Sequence, residues 1–225
     1  MSEQLERIVE VIYKKICAKL KSLGYLEIEA SGRHVHLSRK AIEELFGKDY
    51  QLTNIKPLSQ PGQFVSAERV TLIGPRGQLS NVVVLGPERA HSQIEVSKTD
   101  AKILGINAPI QESGKIQGTA AIEISANGNK VQLNQGVLVA ERHIHMSPAD
   151  AESLVLKDGD RVDIEVNSDR PVIFKDVKLR VSDQYDTTMH IDYDEANACN
   201  LTGKTFGLII KNNGKFLKKE YPNGS

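Results

Sequence analysis

Arg33-His34-Val35-His36-Leu37-Ser38 and Arg142-His143-Ile144-His145-Met146-Ser147 are near copies of one hexapeptide, set about half the chain apart. Side chains alternate across a strand, so each His-x-His pair projects two imidazoles to one side and sends the apolar residue between them to the other. A chain carrying this pattern twice is constrained to build two strands, each with a buried apolar face and an imidazole pair opposite it.

The duplication extends past the hexapeptides. Ser38 and Ser147 each precede a stretch with helical apolar spacing, Ala41-Ile42-Leu45-Phe46 and Ala149-Ala151-Leu154-Val155. Both serines are expected as N-caps, with Pro148 at the first helical position. Gln93 to Ala101 aligns without a gap on Thr188 to Ala196, which sets Glu95 against His190. Copy one then offers His34, His36 and Glu95 as metal ligands, and copy two offers His143, His145 and His190. Catalytic zinc commonly takes three protein ligands and keeps a fourth position open, and imidazole with carboxylate suits zinc better than magnesium or calcium. The expectation is two zinc ions per chain, each with room for exogenous ligands. One His-x-His alone would read as half-buried histidines with ordinary hydrogen bonds; the matched contexts favour ligation. Glu95 owes its assignment to the repeat match, and His91, without a counterpart, is read as a neighbour of the site or a surface residue.

The 29 basic and 29 acidic residues balance, which argues against a nucleic-acid-coating protein. No apolar run reaches membrane-spanning length and the start lacks a secretory pattern, so a soluble protein of the cytosol is expected. Two cysteines, Cys17 and Cys199, are too few for a disulfide scaffold. Val162, Ile164 and Val166 alternate with charged residues, Val70 and Leu72 lead into a Gly74-Pro75-Arg76-Gly77 turn, and Ala121 to Ser125 is expected to pair with Val131 to Leu133 across Asn127-Gly128. Many short strands predict a mostly β chain of barrels or a sandwich, with short helices after each His-x-His, after Glu95 and after His190. In the first 22 residues, Leu5, Ile8, Val9, Ile12, Ile16 and Leu20 share one face of an amphipathic helix. Lys211 to Ser225 is polar and expected to fray.

Gly32 to Ser38, Gly86-Pro87-Glu88-Arg89, Gln93-Ile94-Glu95, Glu141 to Ser147 and His190-Ile191-Asp192 together resemble the PduL-type phosphotransacylases, the phosphate propanoyltransferases of the propanediol-utilisation family. The resemblance covers the chain from about residue 23. It implies two small β-barrels from an internal duplication, capped by short helices: residues 23–32 plus 141–219 in one, 33–140 in the other, a helix over 1–22 and a polar tail over 220–225. It also implies that the two metals face each other between the barrels. The activity implied is interconversion of propanoyl-CoA and phosphate with propanoyl phosphate and CoA. Coenzyme A is then a substrate, and the metal of His34, His36 and Glu95 is assigned to the CoA thiolate, with Glu95 counted among the catalytic residues. The metal of His143, His145 and His190 is assigned to phosphate or the thioester oxygen. Arg89 is the expected phosphate anchor, its alternative role being a surface ion pair with Glu88 or a nearby acid; Arg33 and Arg142 can instead turn away and pair with acids. The N-terminal helix resembles the encapsulation peptides that recruit enzymes into bacterial microcompartments, against the plainer reading of a helix packed on its own body or a second subunit. A homodimer or higher oligomer is expected. With no Gly-x-Ser-x-Gly elbow, direct attack without an acyl-enzyme is favoured over covalent catalysis. A binuclear zinc hydrolase of a thioester or phosphate ester, and a non-catalytic metal-binding module, remain as alternatives.

Overall fold

The computed structural model describes residues 3–212, 215 and 216, so the tail expected over 220–225 lies outside the described residues. In chain order the first half holds α1 (Glu3–Ser22), β1 (Tyr25–Ser31), β2 (His34–His36), α2 (Arg39–Phe46), β3 (Asn54–Pro57), β4 (Phe64–Ile73), β5 (Gln78–Gly86), β6 (Gln93–Glu95), α3 (Lys98–Leu104) and β7 (Ile110–Gln111). Then follow β8 (Ala120–Ala126), β9 (Asn129–Ala140), β10 (His143–Met146), α4 (Pro148–Ser153), β11 (Arg161–Val166), β12 (Val172–Val181), β13 (Thr188–Asp192), α5 (Tyr193–Ala198), β14 (Thr205–Asn212) and β15 (Lys215–Phe216). No described helix is long and apolar enough to cross a membrane. Lys211 and Asn212, expected to fray, instead pair with β15.

The chain is mostly β and forms two closed six-stranded barrels. One ring runs β4-β5-β2-β6-β9 and closes through β8, which pairs with both β9 and β4. The other runs β1-β13-β10-β12-β11-β14 and closes through β1 with β14, so the first strand of the chain completes the second repeat's barrel. The topologies match strand for strand. β2 lies parallel to β5 and antiparallel to β6, as β10 lies parallel to β12 and antiparallel to β13. By contacts, one compact unit comprises residues 1–29, 143–190 and 198–225, and the other residues 30–142 and 191–197.

Each ring strand of the first barrel sends a fully buried residue inward: Val35, Leu72, Val84, Ile94, Ile124 and Val137. Val35 sits opposite both Val84 and Ile94, and Ile94 opposite Val137, so the wall closes around one continuous apolar layer. Ile144, Ile164, Leu179 and Met189 do the same in the second barrel. The Asn127-Gly128 hairpin forms as the sequence predicts, with both residues at positive φ and Ile122 opposite Leu133.

Ser38, Ser97 and Ser147 cap α2, α3 and α4, and Pro148 opens α4. That helix is shorter than its apolar spacing predicts. It stops at Ser153, with Leu154 as C-cap and Val155 left-handed at φ 56°. The chain reverses because Val155 N–H donates to Glu152 O and Leu156 N–H to Ala151 O, the paired closure that usually places glycine where Val155 stands. Val155 is 83% exposed and strained, while Leu156 takes the buried position. Val155→Gly should therefore raise stability by about 1 kcal/mol, read from urea denaturation midpoints, since almost no packing is lost and the left-handed strain is relieved.

Candidate metal and phosphate site

Because Val35 must enter the barrel interior, His34 and His36 lie on the outer face of the wall. The antiparallel register sets Glu95 opposite His34 and Gln93 opposite His36, so all four side chains share that face. In the second repeat His190 stands opposite His143 and Thr188 opposite His145. The gapless alignment of the repeats is thus matched pair for pair in the strand register.

His34, His36 and Glu95 are all buried, and their ligand atoms lie within 4.8 Å of one another. Among the described residues no other group of three meets that approach. His34 Nδ1 lies 2.8 Å from Gly32 O, and a carbonyl only accepts. The Nδ1 proton is fixed there, and in the neutral ring Nε2 keeps its lone pair, 3.6 Å from Glu95 Oε2. His36 Nδ1 is buried without a hydrogen-bond partner. Burial first, and then unfavourable interactions with the neighbouring His34 and Arg89, holds the His36 ring well below its ordinary pKa. Electron-rich atoms brought together with an unmet buried nitrogen among them fit a cation, and this nitrogen and oxygen set is one that zinc accepts.

The second trio brings its rings to centroid separations of 4.7 Å (His143 to His145), 5.0 Å (His145 to His190) and 5.4 Å (His143 to His190), looser than the first trio. His145 Nδ1 is again a buried atom without a partner. Burial first, then His143, His190 and Arg180, pushes the His145 ring down to about 2. Tyr185 stacks on it at 4.1 Å, a contact that no sequence signal marked.

Arg33 pairs with buried Asp100 through two contacts of 2.9 and 3.1 Å, and Arg142 pairs with Glu195 at 2.6 Å. The arginines are equivalent in the repeat and so are the acids, each of which reaches back to cap a short helix: Asp100 with Ser97, Glu195 with Asp192. These pairs brace the histidine strands. Glu88, named with nearby acids in the alternative role for Arg89, meets Arg39 at 3.2 Å. Arg89 N–H donates to Leu37 O and forms a bridge with Ser38, which fixes the 86–89 turn beside the end of β2. A cavity of about 710 Å³ opens there, lined by Ser38, Arg39, Arg89, His91 and Ser92. His91 is therefore an exposed neighbour on the cavity wall, and Cys199 is fully buried.

Residues 27–202 match the family model described as phosphate propanoyltransferase. The chain belongs to the phosphate propanoyltransferase family. It is 52% identical over 209 residues to the phosphate propanoyltransferase of Enterococcus faecalis, covering 93% of this chain and 98% of that one. The Clostridioides difficile protein of the same name is 49% identical over 207 residues, covering 92% and 99%, and that of Thermotoga maritima is 47% identical over 185 residues, covering 82% and 88%. Membership makes the chain an acyltransferase. Rings held neutral in this way are of the kind that a metal ion could use, since only an unprotonated nitrogen can ligate.

The same depressed pKa values carry a pH signature. Below the ordinary value of 6.5, an unfolded metal-free chain takes up protons at His36 and His145 that the native fold refuses. Native stability is then lost as pH falls through 6.5, by up to ~1.4 kcal/mol per pH unit for each ring. Thermal midpoints of the metal-free protein should drop from pH 7 to pH 5, and His145→Gln should flatten that profile; a wild-type midpoint independent of pH over this range contradicts the assignment.

Proposed function

We propose that the chain interconverts propanoyl-CoA and orthophosphate with propanoyl phosphate and CoA. The observation that carries this reading, beyond family membership, is the equal register of two three-ligand sets, His34-His36-Glu95 and His143-His145-His190. An oxygen of phosphate attacks the thioester carbon, the carbon–sulfur bond breaks, and CoA leaves as the thiolate. Zinc held by the two sets would supply a soft Lewis acid for the thiolate and a charge for phosphate or the thioester oxygen.

Arg89 binds and orients the phosphate, since a guanidinium can clamp two of its oxygens. What supports the role is the anchoring of the 86–89 turn to Leu37 and Ser38, which keeps Arg89 near enough for its charge to act on the His36 ring. Holding phosphate against the thioester removes the cost of a two-body encounter, worth up to roughly 7 to 11 kcal/mol in favourable cases. Attack is direct, and the complete burial of Cys199 supports leaving that thiol out of the chemistry. For α1 we propose the recruitment role that its resemblance to encapsulation peptides implies, supported by Leu5, Ile8, Val9, Ile12 and Ile16, all exposed along it.

The test is CoA release from propanoyl-CoA with and without phosphate. Release should require phosphate, Arg89→Ala should raise the KM for phosphate at least about tenfold while metal content is kept, and Glu95→Ala should abolish turnover. Release that proceeds equally without phosphate would make the chain a thioester hydrolase instead.

A further inference from the structure

Glu95 is gripped by a hydrogen-bond chain whose direction is set by the backbone. Gly114 N–H can only donate, so the Gln93 atom that it meets at 2.7 Å is the amide oxygen. The Gln93 amide nitrogen must then face the other way, toward Glu95 Oε1 at 2.7 Å and Ser113 Oγ at 2.9 Å. Ser113 accepts from Gln93 and sends its own proton to the same Glu95 oxygen, also at 2.7 Å. Oε1 therefore accepts two hydrogen bonds. Oε2 is the oxygen that faces His34 Nε2.

We propose that Gln93 and Ser113 are positioning residues that commit Oε1 to hydrogen bonds and so restrict Glu95 to a single ligand atom, Oε2. The inference rests on the metal reading of the His34-His36-Glu95 set. A carboxylate left to itself can bind a cation through both oxygens, and the second would fill the position that an exogenous thiolate or phosphate needs. The second repeat supplies an independent comparison. There the third ligand is His190, which can offer a metal only one nitrogen at a time, and the position equivalent to Gln93 is Thr188, opposite His145. The clamp stands where the ligand is able to chelate, and is replaced where it is not.

The test uses the full chain and compares wild type, Gln93→Met, Ser113→Ala and Ser113→Thr. Metal affinity is measured by chelator competition with zinc, coordination by the visible spectrum of the cobalt(II) form, and folding by the Tm of the metal-free protein. Gln93→Met and Ser113→Ala should weaken one metal equivalent about 10- to 100-fold and change the cobalt bands, with metal-free Tm unchanged and Ser113→Thr restoring both readings. Wild-type affinity and spectrum in both variants would overturn the clamp alone. Loss of affinity that tracks a lower metal-free Tm, and that Ser113→Thr does not restore, would also overturn it by making the role structural. A wild-type chain that binds no metal would overturn the metal reading and the clamp with it.

Discussion

Burial of one apolar residue between two histidines sets the rest of the architecture. Val35 and Ile144 are each fully enclosed in a barrel interior, and the pleat then leaves the flanking imidazoles no choice but the outer face of the wall. Antiparallel pairing with β6 and with β13 adds the third candidate ligand at the position facing the first histidine. Slipping either strand by one residue would drive histidines into the barrel and valine or isoleucine out of it, so the apolar layer that stabilises each barrel also fixes the registry of its candidate site.

Electrostatics is arranged around those strands in the same duplicated way. Arg33 with Asp100 and Arg142 with Glu195 tie the start of each histidine strand to the cap of the helix that follows its partner strand. The His36 and His145 rings remain neutral because burial and nearby positive charge disfavour protonation, and each leaves one nitrogen without a hydrogen bond. Leaving buried polar atoms unmet costs of the order of 1–3 kcal/mol each, which a fold recovers when a cation fills the place.

Much of this was legible because period-two alternation and repetition are sequence properties. The mostly β character, the N-terminal helix, the serine caps, the Asn127-Gly128 hairpin and the grouping of Glu95 with His34 and His36 follow from local chemistry or from aligning the repeats, whereas the choice of two barrels over a sandwich comes from the family resemblance. The early end of α4 was not legible: Val155 continues the apolar spacing but occupies a left-handed position that normally selects glycine. Gln93 was in reach, since it shares a strand face with Glu95, whereas Ser113 reaches the same carboxylate from a loop of no distinctive pattern. Gly32, whose carbonyl fixes the His34 tautomer, and Tyr185, stacked on His145, depend on packing that spacing does not encode.

The central claim is that each repeat holds its own metal. Elemental analysis of zinc per chain, on wild type, His36→Ala and His145→Ala, tests it most directly. The account predicts two zinc ions in the wild type and one in each variant; a single zinc in the wild type, or two retained in either variant, would contradict it.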